Sequence, residues 1–81
     1  MPVPHDFSTA WLRVFLTVAE TGSFTAAGTG LGFTQSAVSR QVSALEDEVG
    51  SPLFDRLARG VRLTDAGHAL VPRARAVLDQ V

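Results

Sequence analysis

Three glycines, each followed within two positions by a hydroxyl residue, punctuate this chain: Gly22-Ser23, Gly32-Phe33-Thr34 and Gly50-Ser51. Glycine tolerates the left-handed backbone that closes a helix, and serine or threonine accepts the free N–H groups that open the next one. The pattern predicts short helices joined by tight turns. A first helix from about Ser8 to Glu20 carries Trp11, Val14, Phe15 and Val18 on one side, with Leu12, Leu16 and Ala19 beside them, so it is apolar over a wide arc and packs on two sides. A second runs from Phe24 through Ala26, Ala27 and Leu31 to Gly32, with Ser23 as its cap. It is weak, because Gly28 and Gly30 each cost on the order of 1 kcal/mol against alanine, and tertiary packing must hold it. Thr34 caps a third helix from Gln35 to about Val49, which Gly50 and Ser51-Pro52 end.

Beyond Pro52 the period changes. Leu53-Phe54-Asp55-Arg56 and Val61-Arg62-Leu63 read as two short strands around the turn Leu57-Ala58-Arg59-Gly60, a small β-wing. Thr64-Asp65 then supplies a cap and a first-turn acid for a last helix running to the chain end, with Pro72 expected to kink it or loosen one turn.

The third helix has two unlike faces. At about 100° per residue, Val38, Val42, Leu45 and Val49 form one apolar stripe, whereas Gln35, Ser36, Ser39, Arg40 and Ser43 form a row of donors. Such a row combines an amide able to grip adenine, short hydroxyls, and an arginine suited to guanine or phosphate. The acids Glu46, Asp47 and Glu48 lie beyond it, Glu46 roughly 16 Å along the axis from Gln35. A helix entering the major groove N-terminus first keeps them away from phosphates. A polar helix face taken alone is an ordinary solvated surface. A short helix, a glycine turn and a capped helix beginning with small polar residues together fit a helix-turn-helix. The fold class expected is mainly α: a winged helix-turn-helix with a three-helix core and a two-stranded wing, followed by a longer helix.

Composition sets limits on function. Eighty-one residues make one domain, 46% apolar and 19% charged, which should fold but is too small for a cleft between layers. With no cysteine, disulfides, cysteine-based zinc sites and thiol nucleophiles are excluded. The start Met1-Pro2-Val3-Pro4-His5 lacks the pattern of a signal peptide, and no stretch approaches the ~20 apolar residues that span a bilayer, so a cytoplasmic protein is expected. Net charge is −1, which by itself does not point to nucleic acid. All seven basic residues are arginine, however, and Arg56, Arg59 and Arg62 crowd together.

The string from Leu12 to Val71 resembles the N-terminal domain of the LysR-type transcription regulators. Leu12-Arg13-Val14-Phe15 is similar to their first helix and Gly22-Ser23-Phe24-Thr25-Ala26-Ala27 to the start of the second. Thr34-Gln35-Ser36-Ala37-Val38-Ser39-Arg40-Gln41-Val42 is similar to the recognition helix. Leu45-Glu46, Gly50, Pro52-Leu53-Phe54-Asp55-Arg56 and Leu63-Thr64-Asp65-Ala66-Gly67 continue the match. The resemblance implies sequence-specific binding of double-stranded DNA. By it, the helix-turn-helix motif covers about residues 24–43, the wing about 53–63, and the DNA-binding domain 1–64. It puts base readers at Gln35, Ser36, Ala37, Ser39 and Arg40, and backbone contacts at Ser23, Thr25, Thr34, Arg56 and Arg59. Gly28, Gly30 and Leu57-Ala58 depart from the family's usual residues.

In the last helix, Leu70, Ala74, Val77 and Val81 follow a four-three-four spacing, the seam of a helix that pairs along its length. Packing back on the domain's own core explains Leu70 and Ala66 more readily than Val77 and Val81. The seam reaches Val81 without a capping glycine or proline, as expected of a helix cut in mid-course. The resemblance makes residues 65–81 the start of a linker helix that pairs two subunits and leads to a larger effector-binding domain. A homodimer on DNA with inverted half-sites follows, with no cofactor and no metal. Two rivals remain. Catalysis would rest on Asp65 with His68 or on Glu46 with Glu48, none with a pocket or an orienting third group, and His5 adds too few ligands for a metal. A winged helix that binds protein instead of DNA suits the near-zero charge.

Overall fold

The caps expected from the hydroxyl residues are all present in the computed structural model, which describes residues 8–79. His5 and Val81 lie outside the described residues. Helix α1 spans Thr9–Thr21, α2 Phe24–Leu31, α3 Gln35–Val49 and α4 Asp65–Asp79, with strands β1 (Phe54–Arg56) and β2 (Val61–Leu63) between α3 and α4. The Ser8, Ser23, Thr34 and Thr64 side chains accept from the backbone N–H groups of Ala10, Ala26, Ala37 and Gly67 at 3.0–3.1 Å. Gly22, Gly32 and Gly50 close the first three helices and return their N–H groups to Val18, Gly28 and Glu46. Each of these helices is therefore satisfied at both ends by neighbours in sequence, which is why its limits are legible there.

The core gathers one face from every element. Phe15 and Val18 of α1, Ala27 of α2, Val38 and Leu45 of α3, and Leu53 before the wing are fully buried. α1 is the central helix, packing on α2, α3 and α4. Its wide apolar arc serves these three partners. Burial of Val38, Val42 and Leu45 on α3 leaves its other side facing out.

Two expectations change on contact with the packing. Leu70 packs on the domain's own core as its position suggested, and Ala74, placed on a pairing seam by its spacing, belongs to that core too, 8% and 1% exposed. α4 packs on α1, and Arg75 and Glu20, 4.0 Å apart, bridge the same pair at the surface. Of that seam, Val77 is exposed among the described residues. Gly28 is not merely a weakness in α2. A Cβ there would stand 2.6 Å from the Phe33 carbonyl oxygen, so the turn into α3 needs a residue without one. Gly30 has open space around it. α4 continues through Pro72 as one helix, lacking the hydrogen bond that the proline cannot donate.

Candidate nucleic-acid interface

The donor row emerges on the open side of α3. Gln35, Ser36, Arg40 and Ser43 are exposed, and Ala37 and Ser39 are half-buried. Ser36, Arg40 and Ser43 point away from the buried stripe and Gln35 and Ser39 stand nearer its edge, so the core fixes which way the row points. Thr34 is exposed at the mouth of α3 while its hydroxyl oxygen is engaged by Ala37 N–H. Ser23 caps α2 in the same manner and is half-buried, and Thr25 is exposed just beyond it. The starts of α2 and α3 thus offer backbone N–H groups and hydroxyls, the uncharged donors that suit phosphate.

The wing flanks this row. β1 and β2 pair antiparallel in the register Phe54 to Leu63, Asp55 to Arg62 and Arg56 to Val61. Leu57 N–H donates to Gly60 carbonyl at 2.9 Å to close the turn, and Gly60 has φ +82°, a backbone region that other residues resist. Val61 N–H donates to the Gly22 carbonyl at 2.9 Å, which staples the wing to the turn between α1 and α2. Arg56 and Arg59 are exposed on this hairpin. Arg62 faces Asp55 across the strands, a pairing of opposite charges.

Arg56 is held more firmly than an ordinary surface arginine. Its guanidinium carbon lies 4.6 Å from the centroid of the Phe24 ring, a cation–π contact. Phe24 meets Phe54 edge-on at 6.0 Å, and Phe54 meets Phe15 at 5.5 Å. An aromatic chain therefore runs from the core to the arginine. Between α3 and β1 lies a shallow cleft of about 140 Å³, with Ser39, Ser43 and Arg56 on its walls and Phe24 and Phe54 among its lining.

Glu46 has a role that residue patterns did not reveal. Its position beside Asp47 and Glu48 groups it with acids kept away from DNA. Asp47 and Glu48 are indeed exposed, but the Glu46 carboxylate accepts from Leu53 N–H at 2.7 Å. That bond ties the far end of α3 to the start of the wing. A sequence signal existed: a carboxylate near a helix C-terminus opposes the helix dipole, so its presence there calls for a separate reason. Thr64 works from the other side, donating its hydroxyl to the Pro52 carbonyl at 2.7 Å and its N–H to the Leu53 carbonyl at 3.0 Å.

Asp65 and His68 are exposed on α4, and Asp65 sits in its first turn. Among the described residues no three histidine, cysteine or acidic side chains come together as a metal site would require. Among the same residues no helix is long and apolar enough to cross a membrane.

Comparison with known proteins agrees with this geometry. An uncharacterized HTH-type transcriptional regulator in the ibpB-leuC intergenic region of Azotobacter vinelandii is 56% identical over 69 residues, covering 85% of this chain and 48% of the relative. The HTH-type transcriptional regulator BudR of Klebsiella aerogenes is 48% identical over 68 residues, covering 84% of this chain and 48% of BudR. The chain spans about half the length of these two relatives. The crystal structure of the CbnR_DBD-DNA complex superimposes with a TM-score of 0.87 at 40% identity, covering 90% of this chain and 84% of that one. Residues 9–68, from the start of α1 into α4, match the bacterial regulatory helix-turn-helix proteins of the lysR family, and the chain belongs to that family.

Proposed function

We propose that this domain binds double-stranded DNA in a sequence-specific manner, with α3 entering the major groove N-terminus first. In this reading Gln35, Ser36, Ala37, Ser39 and Arg40 face base edges, while Ser23, Thr25, Thr34, Arg56 and Arg59 hold the backbone, the wing reaching an adjacent minor groove. The observation that carries it is the exposed donor row on the first half of α3, backed by a buried stripe and flanked by a wing with exposed arginines. Structural likeness at 40% identity to a protein solved in complex with DNA supports it.

Residues 1–64 form the reading unit in this proposal, and 65–81 begin a helix that joins two copies. Pairing falls to Val77 and Val81, since Leu70 and Ala74 are occupied within the domain. A two-fold pair calls for inverted half-sites whose spacing matches the span between recognition helices. The whole protein is then a cytoplasmic transcription regulator without catalytic activity of its own. Selection of bound sequences from a random duplex pool tests the proposal. A recurrent half-site is expected; a pool returned without enrichment would sink it and favour a module that binds protein.

A further inference from the structure

Phe33 is one of three large apolar side chains left exposed among the described residues, at 41%; Leu57 and Val77 are the others. It is the middle residue of the turn between α2 and α3, after Gly32 and before the Thr34 cap. Its backbone is fixed on both sides. Phe33 N–H donates to the Gly28 carbonyl at 2.8 Å, and its own carbonyl oxygen lies close against Gly28.

An apolar residue before a helix cap ordinarily folds back onto the fourth residue of the helix, here Val38. Val38 is fully buried, yet Phe33 keeps 41% of its surface exposed. Phe33 directly precedes Thr34, Gln35 and Ser36, which are exposed as well. A ring whose backbone is already ordered loses little further freedom when it meets a ligand.

We propose that Phe33 is a further specificity-determining residue, its ring packing on the C5-methyl group of a thymine beside the bases read by the first turn of α3. This rests on the DNA-reading function proposed above. The thymine methyl is the apolar feature of the major groove, and phenylalanine is among the side chains that contact it. A helix that enters N-terminus first brings the residue before its cap to the groove together with Gln35.

The test uses the half-site recovered by selection, synthesised with each thymine replaced in turn by deoxyuridine, which differs only by the missing methyl. Binding is measured for the unaltered domain and for Phe33→Ala at a temperature where thermal unfolding shows both to be folded. One thymine is expected whose methyl, when removed, weakens the unaltered domain about fourfold, the worth of one buried methyl, and leaves Phe33→Ala unaffected. The role of Phe33 is overturned if the selected site holds no such thymine, or if both proteins feel each replacement equally. Specific binding that ignores the methyl groups removes Phe33 alone; failure to prefer any sequence removes the DNA-reading function and Phe33 with it.

Discussion

Gln35 and Arg59 are expected to fail in different ways when truncated. Gln35 lies in the first turn of α3, where its amide can pair both ways with adenine. For Gln35→Ala the expected loss is about 1–3 kcal/mol on the selected site, with affinity for random duplex nearly unchanged. Arg59 stands on the wing turn beside Gly60, where a side chain follows the backbone. Arg59→Ala is expected to weaken all duplexes alike and to lower the slope of log affinity against log salt by about one for each phosphate it no longer neutralises. Titrating both variants on both duplexes at several salt concentrations checks this, and reversed effects would mean that the base reader and the backbone holder are exchanged. A third residue, Glu46, holds the start of the wing. Glu46→Ala leaves the buried Leu53 N–H without its acceptor and is expected to cost about 1–3 kcal/mol in urea unfolding, partly recovered by Glu46→Gln. A Glu46→Ala variant as stable as the unaltered domain would show that the carboxylate does not hold the wing.

At the scale of single elements, the two glycines of α2 separate propensity from packing. Both lose about 1 kcal/mol to alanine in helix propensity. Gly30 has nothing within 4 Å of an added Cβ, so Gly30→Ala is expected to stabilise by about 0.4–1 kcal/mol. Gly28→Ala drives a methyl against the Phe33 backbone oxygen and is expected to destabilise by about 1–3 kcal/mol despite the same propensity gain. Chemical denaturation of the pair gives shifts of opposite sign if the close approach is real, and of the same sign if propensity alone decides. The helices and wing were legible because their signals are local: a cap at Ser23 or Thr34, a closing glycine at Gly32 or Gly50 directly after the last apolar residue, a change of period after Pro52. What escaped was non-local. The partner of Glu46 lies beyond the end of its helix and across a turn, and the need for Gly28 depends on where the Phe33 carbonyl returns. The stripe through Leu70 and Ala74 showed that α4 buries a face but not against what, since one spacing serves a helix of the same domain and a helix of a second copy equally. For the interface, the donor row could be placed on a face from its period, whereas the contact of Arg56 with Phe24 joins two elements and could not.

For the whole molecule, a net charge of −1 leaves electrostatics little to work with. Of the seven arginines, Arg40 on α3 and Arg56 and Arg59 on the wing are the cations assigned to DNA in this proposal. Two copies then give a salt slope of roughly five at most, and a much steeper one would mean that Arg13 or Arg62 also touches phosphate. Replacing both Val77 and Val81 by aspartate is expected to reduce cooperative occupancy of a probe with two half-sites while leaving a single half-site unaffected. Unchanged cooperativity would take α4 out of the pairing. The claim on which these rest is that α3 distinguishes one base sequence from another. Its most direct measurement is the affinity of the domain for the selected two-half-site duplex beside that for a random duplex of equal length, across a range of salt. The expected result is a preference on the order of a thousandfold for the selected site that persists as salt weakens both. Equal affinities at every salt concentration would contradict it.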